Sequence, residues 1–538
     1  MRSQQKIFTR ALYLIPIALG TWWTGLVIVT SDFSFQLTHN LPDDAFYYFV
    51  IARNIWQLGR VSFDGLVLSN GFHPLWMLAV LPAFLNATNL DQPVVIVGAL
   101  STLLHMLAVT LLYRILKQIK ISDFIAFITI TLYGLNPAFG VKVLNGLETP
   151  LVIVTALLWL SSHLSILKHR ILSWREAVRW GICASLVFLS RTDWSILLLL
   201  GGIQLLIVFH HRIYDTIMKL SAAALVTFIL IFPWFYWNYL TFGSIAQSSG
   251  YAVSTYLYRV YLGKEPTFES LFSLWSGYAI ASIGLYKLFL FFAGLPVWVA
   301  YILAIAIASA LIAKRSRLIQ EIWRRSIGLW PVLIWPFIYI SGHFTFRLET
   351  RPWYHTSVIP FIFLGLGITL QALWHSTQNF LLWRKRLVVT LYVGIVAAAL
   401  YAGYIEVKQH PDFLEQQSIY TGGQWLNKNV PRDSIVGTFN AGLLGYIATN
   451  FTVVNLDGVV NAESAEARIA YTMDDYLIKR GVCYIADYKS YIGSQYWGKL
   501  NPELAALPIH TEAVLSSNAM PHVQGWQVLQ LSTIKTCQ

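Results

Sequence analysis

The feature that most constrains this chain is a series of apolar segments, most of them close to 20 residues long. An α-helix of about 20 apolar residues crosses the hydrocarbon core of a bilayer. The 538 residues are 56% hydrophobic and only 12% charged, with a mean hydropathy of +0.56, a composition that excludes an ordinary soluble fold. We predict about eleven spans, near residues 11–30, 93–117, 121–137, 149–168, 177–190, 194–209, 218–240, 289–313, 327–342, 355–373 and 387–405.

Basic residues orient these spans, because clusters of Lys and Arg in short loops mark the cytoplasmic side. The net charge is +12, and its clusters begin at Arg2, Lys117, Lys168, Arg212, Lys314 and Arg384. This placement predicts a multi-pass protein of the plasma (inner) membrane with a cytoplasmic N-terminus. It also accounts for the positive charge without a nucleic acid partner, since basic loops meet anionic membrane lipids.

One further apolar segment, Pro74 to about Asn86, is predicted to lie in the membrane interface. Counting it as a span would place Lys117 and Lys120 outside, against the rule that basic loops stay inside. The first outer loop then covers residues 31 to about 92. We use that name for this segment throughout.

The predicted fold class is mainly α: a transmembrane catalytic bundle (1–405) followed by a small extracytoplasmic α/β domain (406–538). In the second part, alternating residues predict strands at Ser434–Thr438 and Phe451–Val454, and a helical pattern runs from Ala462 to Lys479. This domain carries no Gly-rich phosphate loop of the dinucleotide or Walker kind, so the sequence assigns it no nucleotide chemistry.

The chain has three cysteines, Cys183, Cys483 and Cys537, which exclude a disulfide scaffold and show no metal-ligand spacing. Cys483 and Cys537 can pair if their domain is outside the cytoplasm, where disulfides form and persist. Two unpaired thiols are the alternative, and the sequence leaves the choice open.

Ionisable residues other than the basic loops gather on the predicted outer side, beginning with Asp43 and Asp44 directly after the first span. A helix N-cap explains one of these aspartates, but not two. Adjacent carboxylates repel one another and raise one pKa, which makes the pair a candidate general base or divalent-cation ligand. The sequence does not say which aspartate carries the role.

Four other residues follow on the same side. His73 precedes a proline that suits the first turn of the interfacial helix, and it is either structural or in contact with substrate. Glu148 lies at the outer end of the fourth span, where it favours a helix N-terminus or faces Asp43 and Asp44. Arg191 and Asp193 either close an outer turn through an internal salt bridge or bind substrate.

A last cluster lies between the spans at 327–342 and 355–373. Arginine binds phosphate through a permanently charged, forked side chain. We therefore expect this loop to hold an anionic head group, with candidate residues Arg347, Arg351, Tyr354 and His355.

These groups suit a sugar donor attached to a polyprenyl phosphate. Positive charge stabilises the departing lipid phosphate, so the leaving group needs no protonation by a carboxylic acid. An acceptor hydroxyl does need a base, and one carboxylate site with separate arginines meets both requirements. Hydrolysis of an ordinary glycoside would instead need two carboxyls with divided roles. Attack opposite the phosphate inverts the anomeric centre.

In this order the residues resemble the multi-pass glycosyltransferases of the C-type fold, which include protein O-mannosyltransferases and bacterial enzymes that add single sugars to lipid A or lipopolysaccharide. The resemblance covers most of the chain. It is carried by Asp43-Asp44, Gly71-Phe72-His73-Pro74-Leu75-Trp76, Gly146-Leu147-Glu148-Thr149, Ser190-Arg191-Thr192-Asp193, Arg351-Pro352-Trp353-Tyr354-His355, Trp425-Leu426-Asn427 and Asn455-Leu456-Asp457-Gly458.

The resemblance implies an aspartate of the first outer loop as catalytic base, a polyprenyl or dolichyl phosphate sugar donor, and a juxtamembrane cavity for both substrates. The acceptor is a lipid, glycan or protein. Asp43 and Asp44 are adjacent, whereas one residue separates the aspartates of the metal-binding oligosaccharyltransferase motif. We therefore expect no obligatory cofactor or metal, although a divalent cation is possible. The loop from Ser244 to Tyr251 lacks the Pro and Lys that relatives often carry there.

Three other functions fit a polytopic chain. A transporter or flippase would place its ionisable groups near mid-membrane at broken helices, often within inverted repeats, and no repeat is evident here. An assembly protein with an inactive site would keep the acidic pair far from the arginines. A glycan ligase that uses a lipid pyrophosphate donor would use the same arginines.

Overall fold

The computed structural model describes residues 17–250, 252, 322, 325–347, 351–376, 382–409, 411–470, 472–488, 509–515 and 526–531. Within these ranges the chain is mainly helical and carries one small sheet near its C-terminus, which confirms the mainly α part of the predicted fold class and its small C-terminal α/β unit. The helices before the sheet domain are α1 (Ile17–Val29), α2 (Phe33–His39), α3 (Asp43–Leu58), α4 (Pro74–Val80), α5 (Asp91–Gln118), α6 (Asp123–Gly134), α7 (Pro137–Val143), α8 (Thr149–His169), α9 (Trp174–Ser190), α10 (Ser195–Val208), α11 (Ile213–Phe242), α12 (Trp330–Arg347), α13 (Pro352–Ser376) and α14 (Leu382–Gln409).

In the described part of the chain, four helices are long and apolar enough to cross a membrane. They are α5, α8, α13 and the run that contains α11, and they overlap the spans predicted at 93–117, 149–168, 355–373 and 218–240. The protein is therefore a multi-pass membrane protein. The count of about eleven spans and the cytoplasmic N-terminus stay predictions. The span predicted at 289–313 lies outside the described residues.

The segment predicted as a span at 121–137 is bent. α6 and α7 meet at an angle of 59°. Pro137 disfavours helical geometry at the residue before it and cannot donate to the preceding turn. Asn136 instead caps α7, because its side-chain oxygen accepts a hydrogen bond from the Ala138 backbone N–H at 3.0 Å. The proline therefore begins a new helix, and a straight span does not form here.

α8 is the central helix of the bundle, with α5 and α9 packed along it. α9 and α11 approach closely at Gly181, where a Cβ would lie 2.5 Å from the carbonyl oxygen of Ala223. The Thr227 hydroxyl donates to the Gly181 carbonyl at 3.0 Å. These contacts hold α9 against α11, and the α9–α10 turn that carries Arg191 follows at the end of α9.

The first outer loop contains the three helices α2, α3 and α4. α3 begins after Pro42 and ends at Gly59, whose φ of 65° is the left-handed conformation common at helix C-termini. α4 has seven residues and continues into a four-residue 3₁₀ helix, Leu81–Phe84. Together they extend about 16 Å, half of what a span needs. This length agrees with the prediction that Pro74 to Asn86 does not cross the membrane.

The C-terminal domain is an α/β unit with a five-stranded sheet in the order β2-β1-β3-β5-β4. β1 pairs in parallel with β2 and β3, whereas β5 pairs antiparallel with β3 and β4. Its elements are α15 (Gln416–Asn429), β1 (Ile435–Thr438), α16 (Ala441–Ile447), β2 (Thr452–Asn455), α17 (Ala462–Ala470), α18 (Met473–Arg480), β3 (Val482–Tyr488), β4 (Ile509–Leu515) and β5 (Trp526–Leu531).

The first two strands lie within one residue of their predicted positions. The helix predicted from Ala462 to Lys479 is two helices, α17 and α18, with Thr472 between them. α14 continues to Gln409, four residues beyond the predicted end of the bundle at 405. Cys483 on β3 is disulfide-bonded and Cys183 is a free thiol, while Cys537 lies outside the described residues.

The C-terminal domain contacts the first outer loop most closely at Gly71. A Cβ there would lie 1.9 Å from the carbonyl oxygen of Val459, so only glycine fits. Ser248 ties the same junction, because its hydroxyl donates to Val459 O at 2.9 Å and its N–H donates to Asn70 at 3.1 Å. The Asn70 amide in turn contacts Asn238 at 3.0 Å. Three segments distant in sequence are thus joined at one point.

We expect Gly71→Ala to destabilise this junction by about 1–3 kcal/mol, because the methyl group must displace backbone and not a flexible side chain. Gly202→Ala is the matched control, since a Cβ at Gly202 meets nothing within 4 Å. Thermal unfolding of the detergent-solubilised protein, with limited proteolysis of the C-terminal domain, measures the difference. Equal stability of both variants would contradict the close approach.

Candidate active site

A cavity of about 790 Å³ lies where the first outer loop, the bundle and the C-terminal domain meet. Its bundle walls come from the N-terminus of α8, the α9–α10 turn and the start of α13. The C-terminal domain contributes Asn440, Asp457, Val459 and Tyr488. A space of this size accommodates a small organic ligand or part of a larger one.

Most of the residues predicted from the sequence meet in this cavity. Those lining it are Asp43, Asp44, His73, Glu148, Arg191, Asp193, Arg351 and Tyr354. His355 is half-buried on α13 and is not among the lining residues. Arg347 ends α12, and its side chain lies outside the described part of the structure. The catalytic and binding roles of all ten residues stay predictions.

Asp43 is the first residue of α3, but it does not cap that helix, because Pro42 occupies the cap position without a side-chain bond. The carboxylate instead reaches the C-terminal domain. Its Oδ2 accepts from the Gly442 N–H at 3.0 Å, and its Oδ1 accepts from the Leu443 N–H at 2.7 Å. The N-cap interpretation was wrong for α3, since Asp43 satisfies the first turn of α16.

The surroundings of Asp43 set its ionisation. Burial raises the pKa of Asp43 to about 7, while the hydrogen bonds from Leu443 and Gly442 oppose that rise. The neighbouring charges of Asp44 and Asp457 add to it. A carboxylate keeps free lone pairs when each oxygen accepts one bond. Asp43 therefore stays able to take a proton while its orientation is fixed.

Arg53, ten residues further along α3, holds the other end of α16. Its guanidinium donates to the carbonyl oxygens of Tyr446 at 2.8 Å and Gly445 at 2.9 Å. A carboxylate at the start of a helix and a cation at its end both complement the helix dipole. α3 and α16 are therefore held parallel, with Asp43 and Arg53 at the two ends of the contact.

Asp44 is half-buried and lines the cavity beside Asp43. It raises the pKa of its neighbour through charge repulsion. The adjacent pair therefore gives one carboxylate with a raised pKa and a second acidic side chain in the same wall, as the sequence pattern indicates.

Arg191 forms the centre of a buried charge network. Its Nη1 lies 2.6 Å from Glu148 Oε1, and its Nε and Nη2 lie 3.1 and 2.9 Å from the two oxygens of Asp193. Arg191 and Glu148 are each only 3% exposed. The internal salt bridge considered as one alternative for Arg191 and Asp193 is present, and it extends to Glu148.

Aromatic and histidine side chains complete this network. Tyr48 donates to Glu148 at 3.1 Å and accepts from the His73 backbone N–H at 3.0 Å. His343 and the Tyr339 hydroxyl contact Asp193 at 2.9 and 3.2 Å. The Tyr354 ring lies 4.8 Å from the Arg191 guanidinium. Arg191 thus already binds two carboxylates, and its predicted contact with substrate stays a prediction.

Arg351 differs from Arg191 in exposure, because it is exposed at the cavity rim. Its guanidinium lies 6.0 Å from the Trp353 ring, and its charge lowers the pKa of Glu415 against the larger effect of burial. A solvent-accessible guanidinium beside the cavity retains the capacity for phosphate that the sequence predicts.

Sequence reasoning missed the C-terminal side of the cavity. The Tyr47 hydroxyl lies 3.4 Å from Asp457 Oδ2 and accepts from Asn455 at 3.2 Å. Burial raises the pKa of Asp457. Asp457 follows β2, Asn440 follows β1 and Tyr488 ends β3. Their common signal is position after parallel strands, whose carboxyl ends form the ligand-binding edge of open α/β sheets.

The predicted absence of an obligatory metal remains a prediction. Among the residues that the structure describes, no group of three or more His, Cys, Asp or Glu side chains is placed to hold a metal ion. The pair Asp43 and Asp44 therefore has no third ligand of these types in the described ranges.

Comparisons with known proteins agree with this architecture. A family described as Domain of unknown function (DUF8728) matches residues 409–532, the C-terminal domain. No curated protein sequence matches the chain. The crystal structure of an Archaeoglobus fulgidus oligosaccharyltransferase, tethered with an acceptor peptide containing the NVT sequon, is similar with a TM-score of 0.55 and 13% identity. The alignment covers 97% of this chain and 74% of that chain.

At this identity the similarity shows the fold alone. The chain has the fold of that oligosaccharyltransferase. The resemblance to C-type glycosyltransferases, and within them to protein O-mannosyltransferases and to lipid A or lipopolysaccharide sugar transferases, stays a prediction.

We expect Arg191→Met to destabilise the protein by about 3–5 kcal/mol, because it leaves the buried Glu148 and the half-buried Asp193 without their cation. Adding Glu148→Gln should restore part of the loss. Lys219→Met is the control, since Lys219 pairs with the half-exposed Asp215 and such a pair contributes about 0–1 kcal/mol. Thermal unfolding of the purified variants checks the order. A double variant no more stable than Arg191→Met alone would contradict the charge balance.

Proposed function

We propose that this protein is an integral membrane glycosyltransferase that transfers a sugar from a polyprenyl-phosphate-linked donor to a lipid, glycan or protein acceptor. The reaction takes place on the non-cytoplasmic face, inverts the anomeric centre and uses an aspartate of the first outer loop as base. The observation that carries the proposal is the Asp43 carboxylate, oriented by two backbone N–H groups inside a cavity shared by the bundle and the C-terminal domain.

The fold supports this choice of chemistry. One similar solved structure is that of an oligosaccharyltransferase. Fold similarity alone does not establish activity, so the argument rests on the cavity residues. The cavity combines acidic residues able to activate a hydroxyl with an exposed arginine able to bind an anion.

Asp43 is the better supported base of the two adjacent aspartates. A general base works best when its pKa lies near the working pH, and burial brings the pKa of Asp43 to about 7. Its two hydrogen bonds fix the carboxylate without using all its lone pairs. Asp43 removes the proton of the acceptor hydroxyl as the oxygen attacks the anomeric carbon.

The leaving group is the lipid phosphate, which departs with the electron pair of the broken glycosidic bond. Arg351 lies at the rim and is the described arginine best placed to meet it, because Arg191 is committed to Glu148 and Asp193. The Arg191 network keeps the opposite wall rigid, so that donor and base hold a constant separation.

A flippase of lipid-linked substrates and a ligase with a lipid pyrophosphate donor are the competing functions. The observed orientation of Asp43 favours proton transfer, which transport does not require. A ligase differs from the proposal only in the second phosphate of its donor. Identifying the lipid carrier released by the reaction separates these two donors.

We expect Asp43→Asn to reduce product formation by at least about 100-fold, since loss of a general base costs about that much. Lipid and glycan profiling of a deletion strain that expresses each variant measures the effect. Asp44→Asn should retain more activity than Asp43→Asn. Arg53→Gln is the matched control, because it weakens the same α3–α16 contact without touching the reacting atoms. Full restoration of the missing glycan by Asp43→Asn would disprove the assignment.

The pKa of Asp43 also predicts a pH dependence. The base acts in its deprotonated form, so the rate should fall about tenfold per pH unit below about pH 7 and level off above it. Initial rates in membranes of the expressing strain, measured from about pH 5 to pH 9, define this acidic limb of the pH–rate profile. A rate independent of pH across this range would remove Asp43 as the base.

A further inference from the structure

We propose that the C-terminal domain is a positioning module for the catalytic carboxylate, in which Asp487 fixes the 439–443 loop so that its backbone N–H groups hold Asp43 in the cavity. This inference rests on the proposed function and gives the C-terminal domain a role in it. Asp487 and Gly442 are positioning residues, since they act on the reaction through Asp43.

The topology of the sheet brings this loop to the cavity. β1 lies between β2 and β3, and the chain leaves it for β2 on one side and reaches β3 on the other. In open α/β sheets such a reversal of strand order opens a crevice at the carboxyl ends of the strands, where ligands bind. Here the loop after β1 contacts Asp43 of the same chain. The first outer loop therefore occupies the position of a ligand.

Asp487 is fully buried at the end of β3 and binds the loop that follows β1. Its Oδ2 accepts from the N–H groups of Phe439 at 2.8 Å and Asn440 at 3.0 Å, and from the Thr438 hydroxyl at 3.0 Å. Its Oδ1 accepts from the Asn440 side chain at 3.0 Å and from the Tyr488 backbone N–H at 2.7 Å. A single carboxylate on β3 thus satisfies donors at the end of β1 and in the loop from β1 to α16, and it fixes that loop.

The same loop meets Asp43 without room for a side chain. A Cβ at Gly442 would lie 2.0 Å from the backbone oxygen of Asp43 and 3.0 Å from its Oδ2. Because the Gly442 and Leu443 N–H groups both bond the carboxylate, a shift of the loop moves the base directly. Displacement of a reacting group by about 1 Å costs about 100-fold in rate.

Other buried carboxylates do not offer this connection. Asp457 binds Tyr47 and the Val459 N–H, but makes no described contact with the groups that hold Asp43. Asp64 bonds backbone N–H groups within its own turn, at Leu66 and Val67. Among the described residues, Asp487 is the buried acid that reaches the base through a single loop.

The test uses full-length protein with four substitutions: Asp487→Asn and Gly442→Ala in the positioning loop, and Gly437→Ala and Arg53→Gln as controls. The nearest atoms to a Cβ at Gly437 are the ends of the Leu456 and Val482 side chains, so the substitution perturbs β1 at a position away from Asp43. Hydrogen exchange of the backbone amides at 439–443 reports the loop directly. Rates of product formation across pH report the base.

We expect Asp487→Asn and Gly442→Ala to speed amide exchange in 439–443 by about tenfold or more, as loss of bonds to a charged group predicts. The rate of product formation at pH 7 should fall at least about tenfold, and the acidic limb of the pH–rate profile should move to higher pH. The sign follows because the lost N–H donors lower the pKa of Asp43. Both controls should keep the limb at its wild-type position.

Unchanged amide exchange, or a lower rate with an unmoved or downward-shifted limb, would overturn the positioning role. If Arg53→Gln moved the acidic limb by the same amount, the positioning role would also be overturned. Any weakening of the α3–α16 contact would then be enough to move the limb. A wild-type protein that forms no glycan product would instead reject the proposed function. The exchange measurement needs no substrate, so the two failures are distinguishable.

Discussion

The hydrogen bonds between Asp43 and the N–H groups of Gly442 and Leu443 join two parts of the chain that are about 400 residues apart, and the cavity depends on them. One partner belongs to a loop between membrane helices, the other to an α/β domain. A carboxylate removed from water needs donors, and the first turn of a helix has unsatisfied ones. The cavity wall therefore closes at Asp43, because the carboxylate supplies an acceptor to the first turn of α16 and that turn supplies donors to the carboxylate.

The opposite wall follows a different principle. This wall removes a set of charged side chains at least partly from water: Arg191, Glu148 and Asp193, together with Tyr48, Tyr339 and His343. Burial of such a charged group stabilises a fold little compared with apolar packing. The contribution of this charged group is to fix the geometry of the wall. Each charge has a partner on a different element, so displacement of any one element leaves a charge unpaired. The wall consequently has one arrangement of low energy.

Much of this architecture was predictable from the sequence, because membrane helices and basic loops leave strong periodic and compositional signals. The site residues Asp43, Glu148 and Arg191 were predictable as ionisable groups near spans, where charge is costly. Their partners were not. Nothing in the sequence around Asp43 indicates that its donors lie at Gly442 and Leu443, since that contact depends on how two domains pack.

The errors have local physical causes. Capping rules predict that Asp43 caps its own helix, α3. Its carboxylate instead binds the buried N–H groups at the start of α16. Hydropathy does not register that Pro137 begins a helix, so the bend of 59° between α6 and α7 was not predicted. β3 reads as a run of mixed residues in the sequence, and its importance comes from Asp487, whose five donors lie on β1, on the loop that follows β1 and at the end of β3.

The closure of the cavity by the C-terminal domain has a consequence for biosynthesis. The ribosome delivers the bundle to the membrane before it has made Gly442 or Asp487, so the bundle first exists without the segment that holds Asp43. Under the proposed mechanism, a nascent chain, or one whose last domain misfolds, has an unaligned carboxylate and stays inactive until that domain docks.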